Sequence, residues 1–295
     1  MVERAPARVL RLRGRELDLR RGIVMAIVNR TDDSFYAAAR FADDGAALAA
    51  VERAVAGGAQ IVDVGGVRAG RGPRVAVEDE VARVVPFVAT VRERFPEVLV
   101  SVDTWRSQVA REAVRAGADL LNDTWAGHDP GLAQVAADEG VGLVVSHTGG
   151  ARPRTDPLRV SYPGGVSEHV LAELARGAER AVRLGVDPAA VLVDPTHDFG
   201  KNTWHSLELV RATGRLVDLG FPVLMALSRK DFVGETLGLD VDERLEGTLA
   251  ATAVAAWHGA GVFRAHDVVA TRRVLDMVAA IRGDLPPSRA VRGLV

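Results

Sequence analysis

The chain has 295 residues, 48% of them hydrophobic, with a formal net charge of -2 and no cysteine. That length and apolar content suit one large α/β domain, and the near-neutral charge argues against general affinity for nucleic acid or an acidic membrane surface. The lack of Cys excludes a disulfide framework, a Cys-ligated metal and a thiol nucleophile. The first residues are Arg-rich without the apolar core of a signal peptide, and no apolar run is long enough to span a bilayer. A cytoplasmic protein with no membrane partner is therefore expected. Residues 9–19 alternate apolar and charged side chains around Arg13-Gly14-Arg15, the pattern of a short hairpin. A strand-then-helix pattern then repeats eight times. The strands fall at 23–28, 60–64, 98–102, 120–121, 142–146, 191–193, 222–227 and 262–264. The helices fall at 43–56, 77–95, 107–116, 130–139, 166–184, 203–219, 241–258 and 268–281, and glycine follows most of them. Such alternation implies a parallel sheet, and eight units at this length predict an α/β fold, a single (β/α)₈ TIM barrel with an N-terminal hairpin. A doubly wound open sheet is the alternative. The expected division is 1–22 for the hairpin that caps the barrel, 23–283 for the barrel and 284–295 for a tail.

Barrel enzymes carry their chemistry at the C-terminal ends of the strands. Those positions hold Asn29, Asp63, Asp103, Asn122, Asp123, His147, Asp194, Ser228, Arg229, Lys230, Arg264, His266 and Asp267. Singly, each has a plain structural explanation. An Asp at a strand end often caps the next helix, Asp63 can fix the Gly65-Gly66 turn, and His147 can be a satisfied rim residue. Collectively they offer donors and acceptors to a polar planar heterocycle, with Arg264, His266 and Lys230 as an anion niche. The longest aperiodic stretch, 147–165, lies on the same rim and reads as a lid. Gly65-Gly66 and the Gly70-x-Gly72 pair do not match a nucleotide fingerprint. His197 and His205 are too scattered for a metal site. Lys230 as a Schiff-base lysine is a weaker reading, since its polar neighbours keep it cationic.

The motifs Met25-Ala-Ile-Val-Asn-Arg-Thr-Asp-Asp-Ser-Phe35, Asp63-Val-Gly-Gly66, Ser101-Val-Asp-Thr104, Leu121-Asn-Asp123, Asp194-Pro with Phe199-Gly-Lys201, Ser228-Arg-Lys230 and Arg264-Ala-His-Asp267 occur in order at these strand ends. In this the chain resembles the dihydropteroate synthase family along nearly its whole length, and within it the divergent second paralogue of actinobacteria. The resemblance implies a folate-biosynthesis transferase that joins p-aminobenzoate, or an analogue, to a dihydropterin carrying pyrophosphate. It implies that Asp103, Asn122, Asp194 and Lys230 grip the pterin. It also implies that Lys230, Arg264 and His266 are catalytic, that Arg264 and His266 hold the pyrophosphate, and that Asn29 helps seat Mg²⁺. A homodimer is implied as well, with Trp257 and His258 near its interface.

The chain departs from the family pattern in three loops, and Asp231 follows Ser-Arg-Lys where Ser is usual. After the first strand, Asp32 replaces a usual Pro, and Ala37, Ala38 and Ala39 replace Asp-Gly-Gly, which disfavours the flexible positive-φ conformations. After the second strand, Ala69 and Gly70 stand where Thr and Arg are usual, with Arg68 and Arg71 as displaced cations. After the sixth strand, Thr196-His197-Asp198 replaces Gly-x-Gly. The expectation is a retained pterin and pyrophosphate pocket with a rebuilt second-substrate side, so that the condensation is weak, altered or lost. The alternatives are a fully active synthase, a non-catalytic pterin-binding protein, or a barrel like those that bind methyltetrahydrofolate. Methyl transfer in the last case needs a corrinoid partner.

Overall fold

The computed structural model describes residues 5–30, 44–68, 70, 72–155 and 161–293. The chain opens with a hairpin, β1 (Val9–Leu12) and β2 (Arg15–Asp18), turned by Arg13 and Gly14 at positive φ. Eight parallel strands follow: β3 (Ile23–Asn29), β4 (Ile61–Gly65), β5 (Leu99–Asp103), β6 (Leu120–Asp123), β7 (Gly142–Ser146), β8 (Val191–Asp194), β9 (Leu224–Met225) and β10 (Val262–Ala265). They pair in chain order, and β10 returns to β3. The ring is completed between β8 and β9 by a parallel bridge from Val193 to Val223 and by the Val193 N–H donating to the Pro222 carbonyl at 2.9 Å. This is the expected (β/α)₈ barrel. Its strands are near-continuous apolar runs because both faces are covered, one by the barrel interior and one by helices.

Those helices are α1 (Asp44–Ala56), α2 (Val77–Arg94), α3 (Ser107–Arg115), α4 (Gly131–Asp138), α5 (Val166–Leu184), α6 (Thr203–Arg211), α7 (Thr213–Val217), α8 (Asp231–Leu237), α9 (Leu245–Trp257) and α10 (Val268–Arg282). Three elements differ from the sequence expectation. The 203–219 helix is broken at Ala212, where Thr213 Oγ1 bonds the Val210 carbonyl at 2.7 Å and Gly214 follows. The 222–227 strand shrinks to Leu224–Met225: Pro222 has no N–H to give, and Ala226 and Leu227 leave the ladder for the turn at Ser228. Helix α8 was not expected, because seven residues containing Gly234 give no clear period.

The hairpin matters to the site only through stability. Leu10 and Leu12 are fully buried, and a Cβ on Gly142 would collide with Leu12 and Leu120. Leu12 is therefore packed beside the N-terminal ends of β6 and β7, at the end of the barrel opposite the strand-end polar groups. Leu12→Ala leaves a cavity there. It is expected to cost about 2–5 kcal/mol, read as a lower urea midpoint with an unchanged denaturant slope.

Candidate active site at the strand ends

The polar groups at the C-terminal ends form one connected cluster, and its hub is Asp63. This carboxylate is fully buried on β4. It accepts from Ser101 Oγ on β5 at 2.6 Å, from Asn122 Nδ2 on β6 at 3.0 Å, and from Arg264 Nε on β10 at 2.6 Å. Arg264 also reaches Asp103 Oδ2 at 3.0 Å, and Thr124 Oγ1 donates to the other oxygen of Asp103 at 2.9 Å. Burial pushes Asp103 up to about 7, against the pull of Arg264. Burial opposes the charge of Arg264, yet Asp63 and Asp103 outweigh it and hold its pKa above the ordinary value. The Oδ1 of Asn122 is buried and has no partner among the described residues.

On the other side stand Asp194 and Lys230. Asp194 ends β8 and accepts the Thr196 N–H at 2.7 Å, and burial raises its pKa. Lys230 sits at the N-cap of α8; its ammonium donates to the His197 carbonyl at 2.7 Å and lies 4.6 Å from the centre of the Phe199 ring. Burial lowers the pKa of Lys230, offset by Asp198 first and Asp194 second, and Arg264 is close enough to oppose them. Asp103, Asn122, Asp194, Lys230 and Arg264 are thus brought together. His266 joins their edge: its Nδ1 lies 2.9 Å from Ser228 Oγ, which also accepts the His266 N–H at 3.2 Å. Burial and then the nearby Arg264, Arg229 and Lys230 push the ring to about 3. His266 therefore offers a neutral hydrogen-bonding group rather than a second cation.

Asp123, Arg229 and His147 have structural partners, and Asn29 stands at the edge. Asp123 spends both oxygens on the Trp125 and Gly127 N–H groups, at 3.0 and 2.7 Å. Arg229 is buried, bonds Asp267 and the Val241 and Asp242 carbonyls, and pins the turn rather than facing the cluster. His147 pairs through Nε2 with His169 Nδ1 at 3.1 Å, and burial pushes it to about 3. Asn29 ends β3 opposite Gly65; its Oδ1 is 3.4 Å from where a Gly65 Cβ would stand, on the Asp103 side.

Three features go beyond what the sequence pattern shows. Lys201 is buried without a carboxylate contact, and its three protons go to the His147, Thr196 and Phe199 carbonyls at 2.8, 3.0 and 2.9 Å. Burial pushes it down to about 7. Arg154 crosses from the 147–165 segment to the Arg68 and Pro73 carbonyls, tying two rim loops together. That segment is anchored further by Tyr162, whose hydroxyl donates to the Gly200 carbonyl at 2.7 Å. The third feature is the turn after β8. Thr196 and Asp198 adopt φ of +50° and +70°, the left-handed region that suits the glycines of the family pattern. The altered positions Asp32, Ala37, Ala38, Ala39, Ala69 and Arg71, and with them the acidic pair Asp32-Asp33, lie outside the described residues.

Residues 25–266 match the family described as pterin binding enzyme. A Mycobacterium leprae protein named inactive dihydropteroate synthase 2 is 59% identical over 284 residues, covering 95% of this chain and 98% of that protein. The dihydropteroate synthase of Bacillus subtilis is 35% identical over 261 residues, 88% of each chain. The structure of a Coxiella burnetii dihydropteroate synthase in complex with pteroic acid superposes with a TM-score of 0.84 at 31% identity, covering 94% of this chain and all of that one.

The buried ion pair predicts a stability effect separable from ligand binding. Asp63→Ala leaves Arg264 buried beside one remaining carboxylate, and about 3–5 kcal/mol of stability is expected to be lost. Asp103→Ala, at the more accessible end, is expected to lose less. Urea unfolding of the two variants makes the comparison.

Proposed function

The chain belongs to the pterin binding enzyme family, and on that premise we propose that its strand-end cluster binds a pterin while condensation with p-aminobenzoate is weak, altered or lost. The observation that carries the reading is the convergence of Asp103, Asn122, Asp194, Lys230 and Arg264, from five separate strand ends, into one electrostatically coupled set. The chemistry fits a pterin edge. An aminopyrimidine presents N–H donors to the carboxylates of Asp103 and Asp194 and to the unpartnered Asn122 Oδ1, and its ring carbonyl accepts from Lys230. The pteroic acid in the Coxiella burnetii structure makes this ligand class the natural one to test.

Transfer needs more than this grip. Pyrophosphate must leave from the pterin methylene, and the amine must be held against that carbon as charge develops there. Arg264 and His266 are the groups that meet the departing anion. Arg264 holds Asp63 and Asp103 through Nε and Nη2, and the guanidinium has further N–H groups to turn to the anion. The amine side is the altered side, with Ala69 and Gly70 in place of Thr and Arg. Those small residues offer neither the hydroxyl nor the guanidinium that the family pattern supplies. The name of the Mycobacterium leprae relative favours the same reading.

Mg²⁺ would arrive with the substrate's pyrophosphate. No cluster of three or more His, Asp or Glu side chains suited to a metal occurs among the described residues. Asn29 contributes one neutral oxygen, enough for a hydrated Mg²⁺ whose other ligands come from water and pyrophosphate. Bound so, the ion would neutralise the leaving pyrophosphate. A homodimer fits the exposed apolar side chains Val254 and Trp257 on α9 and Met277 and Ile281 on α10. No helix among the described residues is long and apolar enough to cross a membrane, and we place the protein in the cytoplasm.

Binding, turnover, pH dependence and subunit mass each test this. In calorimetry a pterin is expected to bind the wild type, and Asp194→Ala and Lys230→Ala are each expected to abolish the heat. With 6-hydroxymethyl-dihydropterin pyrophosphate, p-aminobenzoate and Mg²⁺, pyrophosphate release is expected to be at least 100-fold below that of an active synthase. Turnover near the active level would sink the proposal. Binding is also expected to depend on pH. Asp103 accepts pterin N–H groups more strongly when ionised, so affinity is expected to fall as pH drops through about 7, and Asp103→Asn to flatten the profile. Trp257→Glu is expected to shift the sedimentation mass from two chains to one.

A further inference from the structure

The turn after β8 carries costs that its own hydrogen bonds do not explain. A β-branched Thr196 and then Asp198 stand at positive φ, a strained conformation for side chains other than glycine. Between them His197 is fully buried against Phe232, with ring centroids 5.6 Å apart, and neither ring nitrogen has a hydrogen-bond partner among the described residues. Glycines would remove the strain. The turn is nevertheless held firmly. Thr196 Oγ1 donates to the Asp194 carbonyl at 3.1 Å and accepts the His147 N–H at 3.3 Å. Asp198 Oδ2 accepts the Asp231 N–H at 2.7 Å, and Ser206 Oγ donates to Asp198 Oδ1 at 3.2 Å. All of this meets at Lys230. The Asp198 carboxylate anchors the first residue of α8, immediately after Lys230, and the His197 carbonyl takes the Lys230 ammonium.

We propose that Asp198 is a positioning residue for Lys230: it fixes the first turn of α8 on the β8–α6 turn and competes with the bound heterocycle for the ammonium. This rests on the reading of the cluster as a pterin site, and it adds a determinant of ligand preference that the family's glycine cannot provide. The Lys230 ammonium is drawn towards a carbonyl and two carboxylates, Asp194 and Asp198. A ring carbonyl would therefore share it with the His197 carbonyl, which holds one of its three N–H groups at 2.7 Å, against the pull of the two carboxylates. The consequence is a pocket that holds acceptor-edged heterocycles weakly while its carboxylates and Asn122 Oδ1 still receive donors. A ligand whose edge towards Lys230 is a donor loses nothing by this arrangement.

The test uses Asp198→Asn, in which the Asn side-chain oxygen can still accept the Asp231 N–H while the charge is gone, and Asp198→Gly, which restores the unstrained backbone. The first arm needs no ligand. Acetylation of Lys230 by acetic anhydride, followed by mass spectrometry across pH, reports its titration. The groups acting on it are Asp198, Asp194 and Asp231, which favour its charge, and Arg264, which opposes it, with Lys201, His197 and His266 also within electrostatic reach. Removing the Asp198 charge is expected to move the labelling midpoint to lower pH. An unmoved midpoint in Asp198→Asn overturns the proposal, whatever the protein binds. The second arm is calorimetry with pterin-6-carboxylate, in which Asp198→Asn is expected to bind about 5–10-fold more tightly than wild type. Equal or weaker binding overturns the competition. If no variant and no wild type binds, the pterin assignment falls, and the labelling arm still decides the role of Asp198.

Discussion

The structure turns on a buried ion pair. Asp63 and Arg264 lie inside a barrel whose strands are otherwise apolar, and moving two charges out of water costs several kcal/mol for each ion. The cost is offset only because every nearby group is recruited. Ser101 and Asn122 donate to Asp63, and Asp103 takes the other arm of Arg264. The pair therefore determines more than its own geometry. It orients Asn122 so that one amide oxygen is left over, and it brings Asp103 to the mouth. It also links β4, β5, β6 and β10 across the barrel axis. A ligand that enters the mouth meets a set of donors and acceptors already fixed by the need to satisfy one buried carboxylate.

The opposite wall is organised by a different constraint, the path of the backbone after β8. Lys201 binds three carbonyls of the neighbouring loops, and Gly200 at φ +61° leaves no room for a side chain beside the Thr148 carbonyl. With both ends of the turn pinned, the intervening residues have little freedom to relax when glycine is replaced. Thr196 and Asp198 keep a backbone shape suited to glycine and are stabilised by hydrogen bonds that glycine could not make. The two walls thus differ in kind. One is a satisfied charge network, and the other is a strained turn whose new side chains act on the lysine facing it.

Much of this was legible before any coordinates. Apolar runs alternating with Ala-rich amphipathic segments fix local structure, since a parallel sheet covered on both faces leaves that imprint on sequence. The eightfold repetition fixes the barrel, and the position rule for strand ends selects a short set of polar residues that contains Asp103, Asn122, Asp194, Lys230 and Arg264. The family motifs name the ligand class, and the departures at Ala69, Gly70 and Thr196-His197-Asp198 point to where function has shifted.

What the position rule cannot do is assign partners. It treats Asp63, Asp123, Arg229 and Arg264 alike, yet one is a hub, one a backbone cap, one a turn clamp and one the arginine that bridges two carboxylates. Arg264 and Asp63 are 201 residues apart in the chain, and Asp123 finds its partners two and four residues away. Nothing in local spacing separates these cases, because a side chain's role depends on which other polar atoms are buried within about 3 Å of it. The sequence alone determined the barrel, the rim where its polar side chains gather and the family to which the chain belongs. Only the closed ring of strands decided which charges neutralise one another and which are left to face a ligand, since that pairing depends on the approach of residues far apart in the chain.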